Sequence, residues 1–166
     1  MAVRSVLRLP HPVLKEVTRP VGVIDDAARG LAVDLLETMR ASPACVGLAA
    51  NQIGSTRRAF CVDVTGHKKA VSCHGAFVLF DAKLLVARAP VNGREGCMSV
   101  PDLTGNVARA TEIVVQGLTP EGTERVIEAD AFEARAILHE LDHLDGLVFL
   151  DRVTSVGEVF PRVKYR

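Results

Sequence analysis

The segment "HELDHLDGLVF", residues 139–149, places two histidines four positions apart, with a glutamate directly after the first. On an α-helix, side chains with this spacing lie on one face, about 5–6 Å apart at Cβ, so His139 and His143 can reach one metal ion. Glu140 is rotated by about 100° from His139, which puts its carboxylate beside the metal rather than on it. A general base that activates water stands in that position. The segment therefore predicts a metal-dependent hydrolase.

Two histidines leave a third protein ligand to be found, and the chain offers several candidates. The long zinc-protease pattern H-E-x-x-H-x-x-G-x-x-H fails, because Phe149 stands at the third histidine position. A zinc endopeptidase could instead use Glu158, the only glutamate after His143. In "REGCMSVP", Cys97 is the most favourable cysteine, since Gly96 allows close backbone approach and a thiolate binds metals strongly. The upstream candidates are His11, His67, His74, Cys45, Cys61, Cys73 and Cys97.

A long helix near the end of the chain must carry the two histidines. The segment "DAFEARAILHELDHLDG" is predicted to form it. Asp130 can be the N-cap, Glu133 can complete a capping box, and Gly146 can end the helix.

One further helix is predicted near the start of the chain. The segment "IDDAARGLAVDLLETMRAS" has apolar residues at helical spacing, with Asp25 or Asp26 as its cap and Pro43 ending it. The apolar positions are Leu31, Leu35, Leu36 and Met39. Before this helix, the proline-rich segment "RLPHPVLKEVTRPV" is predicted to run as an extended surface arm.

Between the two helices the apolar runs are short and typical of strands. They are "RRAFCVDV", "AFVLF", "KLLVARAPV", "CMSVP" and "TEIVVQGLT". "CVGLAANQIG" reads as a tight loop and "TPEG" as a turn. This order predicts an α+β fold, in which short antiparallel sheets pack around a central metal-binding HExxH helix and an N-terminal helix is added.

Length, charge and apolar content restrict the class of protein. The 166 residues are predicted to form one domain, residues 1–166. Twenty basic residues balance twenty acidic ones, so nucleic acid is not an expected partner. The longest uncharged run, "ASPACVGLAANQIGST", is too short and too polar to span a bilayer, and no membrane association is expected. Scattered cysteines in a chain without an export signal favour a reducing compartment.

Three segments together resemble a known family. "GLAANQ" at 47–52, "EGCMS" at 95–99 and "HELDH" at 139–143 are similar, in order and spacing, to the three motifs of the peptide deformylases. The opening "VLRLPHPVLKEVTRPV" also resembles the family's N-terminal arm. Each motif alone is of limited specificity, but the ordered set is highly specific.

The resemblance implies a ligand set and a reaction. Cys97, His139 and His143 match the family's metal ligands, and Glu140 matches its general acid/base. Gln52 and the backbone N–H of Met98 match the donors that stabilise the developing oxyanion. The resemblance implies one divalent metal ion as cofactor, iron(II), with zinc, nickel or cobalt as alternatives. The implied enzyme is a hydrolase of protein biosynthesis, which removes the formyl group from N-formylmethionine at the start of new polypeptides and releases formate.

The resemblance also implies the setting of the reaction. The partners are formylated nascent peptides, with transient ribosome association, and the location is cytoplasmic. An apolar pocket for the methionine side chain is predicted from Val46, Gly47, Met98, Phe132 and Ala136. The alternatives are a zinc endopeptidase built on the HExxH helix and a catalytically weak paralogue that binds peptide N-termini.

The sequence departs from the family pattern at positions near the expected substrate. Cys45 stands where the first motif usually has glycine, and Thr104 stands where many members have a basic residue. "FVLFDAKLL" replaces a segment that often contains "NP". These departures predict effects on specificity or efficiency rather than on metal binding. Arg109 and Asp142 are predicted either to orient the site or to form a solvated surface pair.

Overall fold

The computed structural model describes residues 2–163, and within them the chain forms two α-helices and six β-strands. The helices are α1 (Asp26–Ala41) and α2 (Ala131–Leu144); the strands are β1 (Gly47–Ala49), β2 (Ala59–Val62), β3 (Phe77–Cys97), β4 (Val100–Leu118), β5 (Glu124–Asp130) and β6 (Val159–Pro161). This is an α+β arrangement, as the sequence predicts. No helix within the described part of the chain has both the length and the apolar character needed to cross a lipid bilayer.

The strands form one antiparallel sheet rather than the short separate sheets expected. The order is β1-β2-β3-β4-β5, and β6 pairs with β4. The runs 76–80 and 83–91, predicted as two strands, belong to the single 21-residue strand β3. Register shifts between Phe80 and Lys83 and between Leu84 and Val86 keep it paired with β4. Such bulges add a residue without ending a strand, so breaks in the apolar pattern did not mark strand ends.

The predicted strand "CMSVP" is instead the tip of a hairpin. Cys97 ends β3, Met98 and Ser99 form the turn, and Val100 begins β4. The sulfur of Cys97 is therefore held at the closed end of two long paired strands. "TPEG" is the turn between β4 and β5, as predicted, with the Gly122 N–H donating to the Thr119 carbonyl at 2.9 Å.

Two segments predicted as irregular carry short regular elements. Within the expected loop "CVGLAANQIG", Gly47–Ala49 pairs with β2, and Ala50–Ile53 forms a 3-10 helix. In the expected surface arm, Pro12–Lys15 forms another 3-10 helix, and its Leu14 is fully buried.

The helices cover opposite faces of the sheet. Successive side chains of β2 show this, because they point alternately toward α2 and α1. Phe60 and Val62 belong to the core that includes Ile137, Leu141 and Leu144 of α2. Ala59 and Cys61, which point the other way, belong to the core that includes α1. All four residues of β2 are buried as a result, and α2 packs at the centre of the larger core.

Helix α1 agrees closely with its prediction. Asp25 is the N-cap and accepts a hydrogen bond from the Ala28 N–H at 2.7 Å. Leu35 and Met39 are buried as expected. Leu31 and Leu36 are only half-buried, because Ala28 and Ala32 take part of the contact with the sheet.

The predicted capping box of α2 is wrong. The Asp130 side chain makes no cap bond and accepts from the Ser72 N–H at 2.9 Å instead. Glu133 is fully buried and accepts from the Ser72 hydroxyl at 2.6 Å, and from the His74 N–H and ring at 2.8 and 2.9 Å. These tertiary contacts tie the loop before β3 to the first turn of α2. Gly146 ends the helix region with a φ of 74°, as expected.

The Glu133 contacts predict the outcome of a substitution. Glu133→Ala removes the buried acceptor of three part-buried hydrogen bonds from Ser72 and His74, so the free energy of unfolding should fall by about 1–3 kcal/mol. Denaturant unfolding measures this. The matched control Glu128→Ala changes an exposed glutamate of β5 and should shift stability by less than about 0.5 kcal/mol. Equal stability of the two variants would refute the assignment.

Candidate metal centre

The hairpin tip and α2 bring three candidate ligand side chains together. One ligand atom each from Cys97, His139 and His143 lies within 4.8 Å of the others, a group that could hold a metal ion. Cys97 Sγ lies 3.2 Å from His143 Nε2. The imidazole centroids are 4.9 Å apart, as expected for side chains one helical turn apart. The cluster combines one sulfur with two nitrogens, a donor set that binds divalent transition metals.

The orientation of His139 is fixed by Glu95. Glu95 Oε2 accepts a hydrogen bond from His139 Nδ1 at 2.9 Å, which leaves Nε2 as the ring nitrogen available to the cluster. The other carboxylate oxygen accepts from Arg109 Nε at 2.8 Å and from Arg135 at 3.0 Å. Burial opposes the charge of Glu95, but His139 and Arg109 lower its pKa to about 2. Glu95 is therefore a buried anion held by three cationic or hydrogen-bonding partners.

Arg109 and Asp142 form a buried pair, not a solvated one. Their side chains are 5% and 8% exposed, and Arg109 donates to Asp142 Oδ2 at 2.5 Å. Asp142 also accepts two hydrogen bonds from Arg152, at 2.8 and 3.0 Å. The pair thus orients the cluster indirectly, because Arg109 bridges Asp142 to Glu95 and Glu95 holds His139.

Opposite charges compensate each other within the cluster. Burial disfavours the Cys97 thiolate, but the charges and hydrogen bonds of His143 and His139 hold the pKa of Cys97 well below its usual value. Burial likewise opposes the charged form of His139, whose pKa is nevertheless raised by Cys97 and Glu95. The buried Cys97 thiolate thus faces the positive charge of His139. A divalent cation would replace that proton and satisfy the same electrostatic demand.

Glu140 lies beside the cluster and has spare hydrogen-bonding capacity. It is 4% exposed, and its Oε2 has no hydrogen-bond partner among the described residues. Burial raises the pKa of Glu140 to about 7, which favours exchange of a proton near neutral pH. Gly47 makes room for it, because a Cβ at Gly47 would lie 2.6 Å from Glu140 Oε1. This close approach is the physical reason for glycine in "GLAANQ".

Gln52 is fixed on the other side of Cys97. Its Oε1 accepts from the Ala49 N–H at 2.9 Å, and its Nε2 lies 3.1 Å from Ser99 Oγ and 3.5 Å from Cys97 Sγ. Ser99 in turn donates to the Leu7 carbonyl at 2.7 Å. One amide hydrogen of Gln52 is thus held by Ser99, and the other is directed toward the sulfur side of the cluster. The side chain is positioned before any ligand binds.

A cavity of about 400 Å³ opens onto the cluster. Its wall includes Cys97, His139, Glu140 and Gln52, whereas His143 is fully buried behind it. All five predicted substrate-binding residues line it: Val46, Gly47, Met98, Phe132 and Ala136. Stacking on the His67 ring, at 3.9 Å between centroids, positions Phe132.

Cys45 also lines this cavity without needing a glycine-like backbone. The positive φ in this segment falls on Ala44, at 57°. The Cys45 thiol donates to the Gly47 carbonyl at 3.1 Å. Burial and the nearby Glu140 raise the pKa of Cys45 to about 12, so the side chain is a neutral, hydrogen-bonded wall of the cavity.

The other candidate ligands of the described part of the chain lie outside the cluster. Glu158 accepts from Asn106 Nδ2 at 2.5 Å. His11 caps a 3-10 helix, and His74 bonds to Glu133. None of these side chains, nor those of His67, Cys45, Cys61 and Cys73, belongs to the metal-capable group found within residues 2–163.

Sequence reasoning missed Glu95 and Arg135. The signal for Glu95 was present, because residues two apart on a strand face the same side and Glu95 precedes Cys97 by two positions. Arg135 lies one helical turn before His139, so it also shares a face with a candidate ligand. A glutamate or an arginine alone does not indicate a role at a metal site. The pairing of Glu95 with Arg135 depends on how β3 packs against α2.

Replacing the Glu95 carboxylate with an amide tests its role. Glu95→Gln leaves Arg135 without an anion and Arg109 with Asp142 alone, and it weakens the hold on His139. We expect a loss of about 3–5 kcal/mol in the free energy of unfolding and a drop of about 10–100-fold in metal affinity. Denaturant unfolding and chelator competition measure the two. Glu112→Gln, at an exposed site on β4, should change neither; wild-type metal affinity in Glu95→Gln would contradict the role.

Comparisons with known proteins agree with the motifs. The family described as polypeptide deformylase matches residues 3–158. A peptide deformylase of Syntrophobacter fumaroxidans is 35% identical over 163 residues, covering 98% of this chain and 94% of the relative. One of Desulforudis audaxviator is 39% identical over 156 residues, covering 94% of this chain and 97% of that protein.

Solved structures show the same likeness in three dimensions. The crystal structure of peptide deformylase from Ehrlichia chaffeensis in complex with actinonin has a TM-score of 0.87 and 32% identity, and covers 95% of this chain and 92% of its own. The peptide deformylase of Thermus thermophilus has a TM-score of 0.82 and 35% identity, with coverages of 92% and 86%. This chain belongs to the peptide deformylase family.

Proposed function

We propose that this chain is a peptide deformylase, which hydrolyses the N-formyl group of formylmethionine at the start of new polypeptides and releases formate. One observation carries the proposal: a thiol and two imidazoles converge at a cavity whose wall also carries Glu140 and Gln52. Family membership over residues 3–158 supports it. No feature of the site favours a zinc endopeptidase, because Glu158 is bonded to Asn106.

Cys97, His139 and His143 are the proposed ligands of one divalent ion, iron(II), with zinc, nickel and cobalt as alternatives. The donor set fits such an ion, since one thiolate and two neutral imidazoles suit borderline metals. Glu95 accepts a hydrogen bond from the other ring nitrogen of His139, and such a bond orients ligating histidines in metalloproteins. When bound, the ion supplies Lewis-acid chemistry, which polarises a carbonyl and acidifies water.

Glu140 is the proposed general base and acid. Its unpaired Oε2 can accept a proton from the attacking water and pass it to the amine nitrogen that leaves. Water oxygen then bonds to the formyl carbon, the carbon–nitrogen bond breaks, and formate and a free N-terminus result. Glu140 is buried beside the cluster, and its pKa of about 7 suits transfer in both directions.

Gln52 and the Met98 N–H are the proposed donors to the oxygen that becomes negative. An amide carbonyl gains charge as water adds, and donors already in place stabilise that charge without reorganising. Ser99 and Ala49 hold the Gln52 side chain. Met98 lies in the tight turn of the hairpin, next to the proposed thiolate ligand.

The apolar part of the cavity is the proposed methionine pocket. Val46, Met98, Phe132 and Ala136 supply apolar surface and Gly47 supplies room. We further propose that the substrates are formylated nascent peptides, encountered in the cytoplasm with transient ribosome contact, and that neither nucleic acid nor membrane is bound directly.

Formate release from formyl-Met-Ala-Ser by the iron(II)-loaded protein, purified without oxygen, tests this function. Wild type should turn over the peptide. Glu140→Gln should keep its metal and lose about 10²–10⁴-fold in kcat, and Gln52→Ala about 10²–10³-fold. Cys97→Ala should lose both metal and activity.

Cys73→Ala removes an exposed cysteine and serves as the control, with wild-type metal content and rate expected. Full activity of Cys97→Ala would exclude the proposed ligand set. No formate from the metal-loaded wild type would exclude the function.

A further inference from the structure

Three arginines line the cavity, and they differ in what they are bonded to. Arg135 is fully engaged: it donates to Glu95 at 3.0 Å, to the Val107 carbonyl at 2.9 Å and to the Val91 carbonyl at 2.8 Å. Arg94 and Arg162 line the same cavity. Neither is within ion-pair distance of a carboxylate among the described residues. Two guanidinium charges in the wall thus lack a counter-charge there.

Neutral groups alone hold Arg94 in place. Its Nε donates to Asn106 Oδ1 at 2.9 Å, and its NH1 lies 3.4 Å from Thr104 Oγ1. Its guanidinium also lies 3.7 Å from the centroid of the Phe160 ring. These contacts restrict the side chain without cancelling its charge. Glu158, the nearby acidic residue, accepts a hydrogen bond from Asn106 Nδ2 at 2.5 Å. Asn106 therefore stands between Glu158 and Arg94.

Arg162 lies over the next exposed position of the same strand, on the face that Arg94 also occupies. Its backbone N–H donates to the Asp102 carbonyl at 2.9 Å, which anchors the chain just after β6. Its guanidinium lies over Gly96, where an added Cβ would overlap it. Gly96 directly precedes Cys97, and Arg162 and Cys97 both line the cavity.

The guanidinium groups of Arg94 and Arg162 favour a carboxylate as their partner. A guanidinium offers parallel N–H donors that match both oxygens of a carboxylate, and it loses little hydration on binding. The two carboxylates of the cavity wall are not available to pair with these arginines. Glu95 is already bonded to Arg109, Arg135 and His139, and Glu140 belongs to the proposed reaction.

We propose that Arg94 and Arg162 form a carboxylate-binding subsite, which makes this enzyme prefer formyl peptides that carry a carboxylate shortly after the methionine. The inference rests on the proposed deformylase function and adds a substrate class to it. The carboxylate comes either from an aspartate or glutamate side chain or from the C-terminus of a short peptide.

Paired substrates separate the two sources. Formyl-Met-Ala-Asp amide is compared with formyl-Met-Ala-Asn amide, and formyl-Met-Ala-Ser acid with its amide, using the iron(II)-loaded protein. We expect kcat/KM to be about three- to tenfold higher for the charged member of at least one pair, the effect of a partly exposed charge-assisted contact. Raising the ionic strength to about 0.5 M should shrink that ratio.

Substitutions then assign the preference to these side chains. The ratio should fall to about one in the double variant Arg94→Gln/Arg162→Gln and survive largely in Arg94→Lys/Arg162→Lys, which keeps both charges. Arg88→Gln removes an exposed arginine from the same strand, outside the cavity, and should keep the wild-type ratio.

Each outcome counts for or against the subsite. Equal rates within both pairs for wild type, or an unchanged ratio in the double glutamine variant, would overturn it. A preference in the first pair assigns the side-chain carboxylate, and one in the second assigns the terminus. Turnover of the neutral peptides without a preference would leave the deformylase function standing; no turnover of any formyl peptide would refute that function itself.

Discussion

The buried carboxylate of Glu95 is the contact on which the rest of the centre depends. It joins the end of β3 to β4 through Arg109 and to α2 through Arg135 and His139. An isolated charge in this position would cost several kcal/mol, and only complete pairing makes it tolerable. Because both oxygens are paired, the carboxylate ties the hairpin to the helix through contacts on both sides. That arrangement puts the sulfur of Cys97 next to the histidines.

The hairpin and α2, joined by Glu95, supply different groups to the site. The hairpin turn at Met98 holds the sulfur, while α2 presents its histidines and Glu140 from one face. The close approach of Gly47 to Glu140 leaves the carboxylate buried but unpaired. Near the cluster, the charge of Glu95 is paired with Arg109 and Arg135. Farther along the cavity wall, Arg94 and Arg162 have no carboxylate partner among the described residues. Chemistry and substrate recognition can thus occupy neighbouring parts of one cavity.

Local patterns in the sequence predicted local features well. Helical spacing placed His139 and His143 on one face, and Asp25 capped α1 as expected. Features set by distant residues were not predictable in this way. The apolar breaks along β3 are bulges, which depend on pairing with β4, and Glu133 serves a distant loop instead of its own helix end. Glu95 escaped notice for the same reason, since its partner Arg109 is 14 positions away and meets it only through strand pairing.

One thiolate and two imidazoles, arranged by Glu95, are proposed to hold a single divalent ion. Cobalt(II) titration of the metal-free protein, followed in the near-ultraviolet and visible spectrum, tests this binding. We expect a thiolate-to-cobalt charge-transfer band that saturates at one equivalent and is absent from Cys97→Ser. A spectrum without that band, or one that is unchanged in Cys97→Ser, would contradict it.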